Sequence, residues 1–282
     1  TGPGQPTVQL VDLYAEWRRF PEFKIRAGQF KRAFTFENPT NPITQGWRSY
    51  ADVINKLSAF GDRTGERSSG GRDIGIQFQG DLFPNANGRR VFHYQIGVYN
   101  GEGVNTKDYD NRKDIIGGIW VMPIKGLRIG AFGWTGSRGQ MLDPITNKTR
   151  SVEKNRYAIS AEYDLNGYTF RAEYLHSQGW GSSSPGNNVR EIDYTKGDKA
   201  DGWYVFGIVP LVKGKLFAKA RYQCYRNQKE WGTSVNQVEC GLNYNFTKNL
   251  EIHAEYSHVN DRNLADGKHN YNLVDVELDF RF

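Results

Sequence analysis

The cations of this chain are unevenly placed. Lys24, Arg26 and Arg32 lead into residues 37–71, which carry Arg48, Lys56, Arg63 and Arg67; Lys219 and Arg221 add two more at alternate positions. Guanidinium groups meet carboxylate and phosphate oxygens two at a time, and an ammonium adds a compact point charge. Gathered in one narrow place, such residues would bind small anions or let them pass. A second constellation is Glu251-x-His253-x-Glu255. These are metal-ligating side chains, but alternate residues of a strand stand about 6.6 Å apart, which is awkward for three ligands on one ion. A solvated lining is the plainer reading. The remaining histidines, His93, His176, His258 and His269, are scattered. The chain has no nucleophile elbow, phosphate loop or HExxH. "GDRTGERSSGG" is glycine-rich but lacks the strand-to-helix setting that cradles phosphate, and reads as a loop. No cofactor and no enzyme activity are expected.

The elements that must hold these residues are strands. Only 38% of the 282 residues are hydrophobic, yet 14% are aromatic and 32 are glycine. That mixture suits strands whose two faces differ more than it suits a helical core. No apolar run approaches the ~18 residues of a membrane-crossing helix, but a transmembrane barrel alternates apolar and polar residues and hides its hydrophobicity from an average. The start of the chain shows no signal peptide. The formal charge of +6 comes from bases interspersed with acids, which does not point to nucleic acid.

Period-two alternation predicts about thirteen strands, over 7–19, 22–35, 72–83, 90–100, 114–123, 127–136, 154–165, 168–178, 202–212, 215–227, 234–246, 250–259 and 270–282. One helical stripe, Tyr50, Val53, Ile54 and Leu57, lies in "RSYADVINKLSAF". Short connections such as "DLNG" and "FTKN" alternate with long polar ones such as "NGEGVNTKDYDNRK". That rhythm is the signature of an up-and-down antiparallel β-barrel with one plain end and one elaborated end. Strand 250–259 sets Leu250, Ile252, Ala254 and Tyr256 against Glu251, His253, Glu255 and Ser257. A barrel this wide cannot fill its interior from the wall, so the apolar face is assigned to lipid and the charged face to a wet lumen. Trp17, Phe23, Phe83, Phe92, Tyr168, Phe246 and Phe282 would form the interfacial girdles. On the charged face acids outnumber bases, and cations are prominent only near residues 37–71. Cys224 and Cys240 both fall on the lipid face and flank a turn near Gly232, so a bridge between them stays open alongside two unpaired thiols.

Bacterial single-chain barrels carry an even number of strands. The short turn before 250–259 makes the last strand run inward, and counting back the first does so too. The expectation is a chain lacking an N-terminal segment of three strands, sixteen in the complete protein, with Phe282 resembling the terminal aromatic signal of outer-membrane barrels.

Several motifs then carry a family resemblance. "FKIRAGQFKRAF", a long insert, "GRDIGIQFQGDL" and "YQIGVYNGEGVNTKDYDNRKD" occur in the order found in the phosphate-selective porins O and P. The middle motifs are fairly specific and the second half is generic barrel. One departure is Arg32-Ala33, where that family often has proline. The resemblance implies a trimeric sixteen-stranded channel of the bacterial outer membrane for phosphate or other anions, in contact with the lipid bilayer and lipopolysaccharide. It also implies that loop 37–71 is the third external loop, folded inward, with the cations named above lining the constriction. Alternatives stay open. A barrel with a plugged lumen could serve as a structural or binding part of a larger outer-membrane complex, and a soluble all-β binding protein is a more distant option.

Overall fold

The computed structural model describes residues 10–41, 45–265 and 267–281. Its main sheet has thirteen antiparallel strands in a meander. Along the sheet run β1 (Leu13–Phe20), β2 (Phe23–Lys31), β3 (Arg72–Pro84), β4 (Arg90–Tyr99), β5 (Asp114–Val121) and β6 (Leu127–Thr135). After an excursion through a separate hairpin, β7 (Ser137–Asp143) and β8 (Lys148–Glu153), come β9 (Asn155–Leu165) and β10 (Tyr168–Gln178). A second excursion holds the short pair β11 (Gly181–Ser182) and β12 (Ile192–Asp193). The sheet then ends with β13 (Lys199–Val212), β14 (Leu216–Arg226), β15 (Ser234–Asn245), β16 (Leu250–Asp261) and β17 (Asn270–Phe280).

The thirteen strands correspond one to one with the alternating segments of the sequence. The hairpin β7–β8 does not; it was read as connection. Strand 22–35 stops at Lys31, because the chain leaves the wall there and enters the interior. The first strand begins at Leu13; residues 7–9 and Phe282 lie outside the described residues.

All short turns are at one end and all long connections at the other, as the sequence predicts. In the two-residue turn Asn166-Gly167 both residues have positive φ (58° and 86°), the geometry of a hairpin whose twist matches its strands. The faces also divide as expected. On β16, Ala254, Tyr256 and His258 are exposed while His253, Glu255 and Ser257 are buried. Ile74, Ile76 and Phe78 of β3, Ile119 of β5 and Ile159 of β9 are all exposed on the outside, where in a bilayer they meet acyl chains. Aromatic rings gather at the short-turn end. Trp17 lies edge-on to Phe20 (5.7 Å) and Phe23 (6.2 Å), and Phe23 stacks on Phe78 (5.9 Å).

One expectation needs correction, and the open question of the cysteines closes. The inner face is not uniformly charged. Ile116, Phe132, Trp134, Leu175, Tyr204 and Phe206 point inward and are buried against Phe34, Phe36, Trp47, Val53, Ile54 and Leu57 of the 32–71 segment. An apolar patch of wall exists wherever the loop docks, each large side chain contributing about 1.5–3 kcal/mol on burial. The cysteines do not face each other. Cys224 pairs with Asn236, whereas Cys240 pairs with Ala220, so they are offset by four residues, about 13 Å at strand rise, well beyond disulfide reach. Both thiols are free; Cys224 is buried and Cys240 exposed.

Candidate functional site

The segment after β2 turns into the interior at Arg32 and returns to the wall at Arg72. Its single helix, α1 (Asp52–Leu57), has six residues and no side-chain cap. So short a helix does not hold itself together. It forms because Val53, Ile54 and Leu57 are completely buried against the wall, and α1 packs on β10, β13 and β14.

Polar contacts then fix the loop almost all the way round. The N–H groups of Phe36 and Glu37 donate to the Glu173 carboxylate of β10 (3.2 and 2.7 Å). The N–H of Arg48 donates to Glu255 of β16 (2.9 Å) and that of Asp52 to Gln223 of β14 (2.6 Å). Gln95 of β4 donates to the Ala33 carbonyl (3.2 Å), and Lys219 of β14 to that of Gly46 (2.8 Å). One segment thus touches strands from β4 to β16, and the sheet must curl around it. That is the barrel wall seen from inside.

The root of the loop is a buried ionic cluster. Arg32 meets Glu66 (2.5 Å), Glu66 meets Lys154 (2.8 Å), and Lys154 meets Asp114 (2.7 Å), with Arg32, Glu66, Lys154 and Asp114 all inaccessible to solvent. Trp134 donates its indole N–H to Asp114 (2.8 Å), and its ring lies under Arg32 (4.5 Å) and Arg156 (4.5 Å). Arg156 pairs with Asp62 (2.6 Å). Burial alone would raise the carboxyls of Asp62 and Glu66, but Arg156 holds the first, and Arg32 with Lys154 the second, below the usual range. Glu37 is the opposite case. It is fully buried, neither carboxylate oxygen has a hydrogen-bond partner among the described residues, and burial pushes its pKa up to about 7.

The sequence-predicted cations fall into two groups. Arg32, Arg63, Lys219 and Arg221 are buried. Arg63 donates to the carbonyls of Gly179, Lys196 (2.8 Å) and Gly197 (3.0 Å), tying the loop to the excursion after β10. Lys219 pairs with Glu255 (2.5 Å), and Arg221 pairs with Glu239 and donates to the Ser49 carbonyl (2.9 Å); Lys219 and Arg221 both lie over the Trp47 ring. The second group meets water. Arg48 is half exposed, 3.3 Å from Asp275 of β17. Lys56 makes no ion pair among the described residues, and Arg67 is exposed. Lys24 and Arg26 are part-exposed on β2, paired with Asp81 (2.7 Å) and Glu16 (3.1 Å).

Three cavities border the loop. One of about 430 Å³ is lined by Arg48, Asp52, Asn55, Lys56 and Phe60. Another of about 420 Å³, toward the short-turn end, is lined by Arg128, Glu162, Arg171, Asn243 and Glu251. A third of about 300 Å³ is lined by Arg26, Lys31, Gln77, Gln79 and Gln95. Gln45 borders the first two, and Thr40 and Arg128 border the last two. Space lined by polar side chains therefore adjoins the loop on more than one side.

The sequence reading missed Lys31, whose ammonium donates to the Asn38 (3.0 Å) and Thr40 (2.9 Å) carbonyls and the Tyr50 hydroxyl (2.7 Å). It also missed Lys154 and Arg156, which alternation assigned only to the start of a strand. No metal set forms at Glu251-x-His253-x-Glu255. His253 Nε2 lies 3.3 Å from both Glu251 and Asp279, while Glu255 turns to Lys219. Glu102, Asp108 and Asp110 approach one another within 4.8 Å, but Glu102 is already held between Arg138 (2.6 Å) and Arg190 (2.9 Å).

Comparison with known proteins agrees with this architecture. The family profile described as Gram-negative porin matches residues 126–264, just under half of the chain. No curated protein sequence matches. Among solved structures, the chain is similar to the anion-selective porin from Comamonas acidovorans (12% identity, 90% of this chain and 69% of that one, TM-score 0.58). It is similar also to the outer membrane channel DcaP of Acinetobacter baumannii (11% identity, 92% and 71% covered, TM-score 0.58). A third likeness is Salmonella typhi OmpF in complex with daunomycin (15% identity, 92% and 74% covered, TM-score 0.61). At such identities the likeness is one of fold: together with the profile match and the apolar outer face, it makes this chain a transmembrane β-barrel of the bacterial outer membrane.

Proposed function

We propose that the chain forms a water-filled channel for passive diffusion of small polar solutes, with residues 32–71 as its constriction. The observation that carries this reading is the loop itself. It is pinned inside the barrel by buried ion pairs and apolar packing, yet leaves cavities lined by charged and amide side chains. Such a loop narrows a pore without abolishing it, and a narrow low-dielectric passage magnifies the field of its fixed charges.

Anion preference is part of the proposal and rests on Arg48, Lys56 and Arg67, the loop cations that meet water, with Lys24 and Arg26 on the facing wall. Arg32, Arg63, Lys219 and Arg221 would act at one remove, by holding the loop and by their long-range field. Phosphate as the solute rests on the motif resemblance alone. The apolar outer face would carry bilayer lipid, lipopolysaccharide and, in a homotrimer, neighbouring copies. The plugged reading draws on one observation too: the Arg32–Glu66–Lys154–Asp114 cluster is dry, so the interior beside β5 and β6 is packed.

The test is reversal potential in a planar bilayer under a potassium chloride gradient. A reversal on the chloride side is expected. No conductance would overturn the channel in favour of the plugged barrel, and a potassium-side reversal would overturn anion preference.

A further inference from the structure

One of the loop's cavities contains an apolar feature that a channel for inorganic ions does not need. Phe60 leaves half of its surface exposed (50%) at the edge of the 430 Å³ cavity. Its ring is stacked on Tyr50, centroids 6.0 Å apart and planes within 26°. Tyr50 is itself almost fully buried and cannot swing away. Its hydroxyl accepts from Lys31 and donates to the Thr40 carbonyl (2.7 Å each). Behind Phe60 the chain is equally close: a Cβ added at Gly70 would stand 3.0 Å from the Phe60 ring. The exposed phenyl face is therefore a fixed platform rather than a loose side chain.

Around that platform the cavity carries two cations. Lys56, at the end of α1, contributes an ammonium with no ion-pair partner among the described residues, and Arg48 a guanidinium that is half exposed. Asp52 is the only carboxylate of the described lining, and Asn55 adds an uncharged amide. Asp275 of β17 stands 3.3 Å from Arg48 just outside the lining, which leaves Lys56 as the cation of the site without an ion pair among the described residues.

We propose that this cavity is a binding station for single-ring aromatic carboxylates. The ring would stack on Phe60, and the carboxylate would be taken by Lys56 or Arg48. Offset stacking of two rings adds stabilisation beyond area burial, and the cations supply charge-assisted hydrogen bonds. The volume accommodates one substituted ring with its water, at the lower end of small-molecule sites. An inorganic oxyanion would use the cations and leave Phe60 wet. The inference gives the proposed channel a solute class, and so rests on that reading for its physiological sense, though not for its binding.

Two measurements separate the failures. In planar bilayers, benzoate added to a chloride bath should interrupt the chloride current in a concentration-dependent way, and acetate at equal concentration should not. Phe60→Ala should weaken the benzoate block by about fivefold, the equivalent of one aromatic stack. Phe60→Trp should retain the block, and Lys56→Gln should weaken it. If benzoate and acetate act alike, or Phe60→Ala leaves the block untouched, the station is overturned while the channel stands. If the wild-type protein passes no chloride, the channel falls. Ligand-observed NMR with benzoate and the detergent-solubilised protein then decides the station by itself: saturation transfer reduced in Phe60→Ala and kept in Phe60→Trp supports it, and no transfer to benzoate in the wild type, or equal transfer in Phe60→Ala, refutes it.

Discussion

Lys154 and Glu66 lie 88 positions apart in the chain and meet at 2.8 Å, both side chains shut off from water. Each has a second partner, Asp114 for the lysine and Arg32 for the glutamate. Charges buried so deeply contribute little as a balanced group, but removing one member strands the others. Lys154→Met should therefore cost about 3–5 kcal/mol and release the root of the inward loop. The expected readout is a lower unfolding temperature in detergent, faster proteolysis after Arg67, and larger, noisier single-channel steps. Unchanged thermal stability would show that the cluster does not anchor the loop.

Arg48 and Arg63 should behave differently although both are arginines of the same loop. Arg48→Gln removes a half-exposed cation and should shift reversal potential toward potassium, with stability changed by less than about 1 kcal/mol, the scale of an exposed pair. Arg63→Gln leaves the carbonyls of Lys196 and Gly197 without their donor and should lower the unfolding temperature more than it alters selectivity. Parallel bilayer recordings and melting curves distinguish them; the reverse pattern would mean that Arg63 faces the solute.

Glu37 makes the loop sensitive to pH. Its folded pKa of about 7 lies above the unfolded carboxyl value of about 4.3. The folded state then holds its proton more tightly than the unfolded state. The resulting stability is fully present below the unfolded value and is lost as pH rises through 7. Glu37→Gln should leave loop protection unchanged at pH 4 and increase it at pH 8, measured by hydrogen exchange of residues 45–60. Equal protection at pH 8 in both proteins would remove Glu37 from this role.

The outer face should tolerate no charge. Ile159 of β9 is more than half exposed there, and an arginine at mid-bilayer depth costs about 2–4 kcal/mol. Ile159→Arg should reduce folding into phospholipid vesicles, followed by gel mobility without boiling, while Glu277→Gln on the inner face of β17 should fold normally. Efficient insertion of Ile159→Arg would contradict the lipid-facing assignment.

The thiols offer a direct check of register. A lipophilic maleimide should label Cys240 in the folded protein and leave Cys224 unlabelled until unfolding. Oxidation should give no intramolecular bridge on a non-reducing gel. Rapid labelling of Cys224, or a bridged monomer, would contradict the pairing of β14 with β15.

The wall was legible because its physics is local. Each strand writes its two environments into its own sequence, so Val238 beside Glu239, or Tyr256 beside Glu255, fixes a face without knowledge of any partner. The buried stripe Val53, Ile54 and Leu57 was legible for the same reason, at a different period. What could not be read was which partner each charge would choose. Nothing in the spacing of Arg32, Glu66 and Lys154 announces that they share one dry site, because their meeting depends on where the loop enters the barrel. Arg63 looked like a pore cation, since its type says so and its burial is a property of the fold. The inward apolar patch of Ile116 and Phe132 was hidden as well. Hydrophobic residues on both faces of β5 and β6 blur the alternation, and only the docked loop explains the second face. Hairpin β7–β8 escaped because it stands beyond the sheet, where no contrast between lipid and water imposes a pattern.

The reach of the inward loop also constrains how the protein is made. Ala33 bonds to Gln95 on one side, and Asp52 and Arg48 bond to Gln223 and Glu255 on the other. These partners emerge from synthesis long after the loop and come together only when the sheet curls. Contacts so distant along the chain are slow to form, because loop-closure entropy precedes any return. The loop does not keep its form alone, since α1 is too short to persist without the wall. Loop and wall hold one another in place, so that a substitution where they meet can appear first as a failure of assembly and only second as a change in what passes.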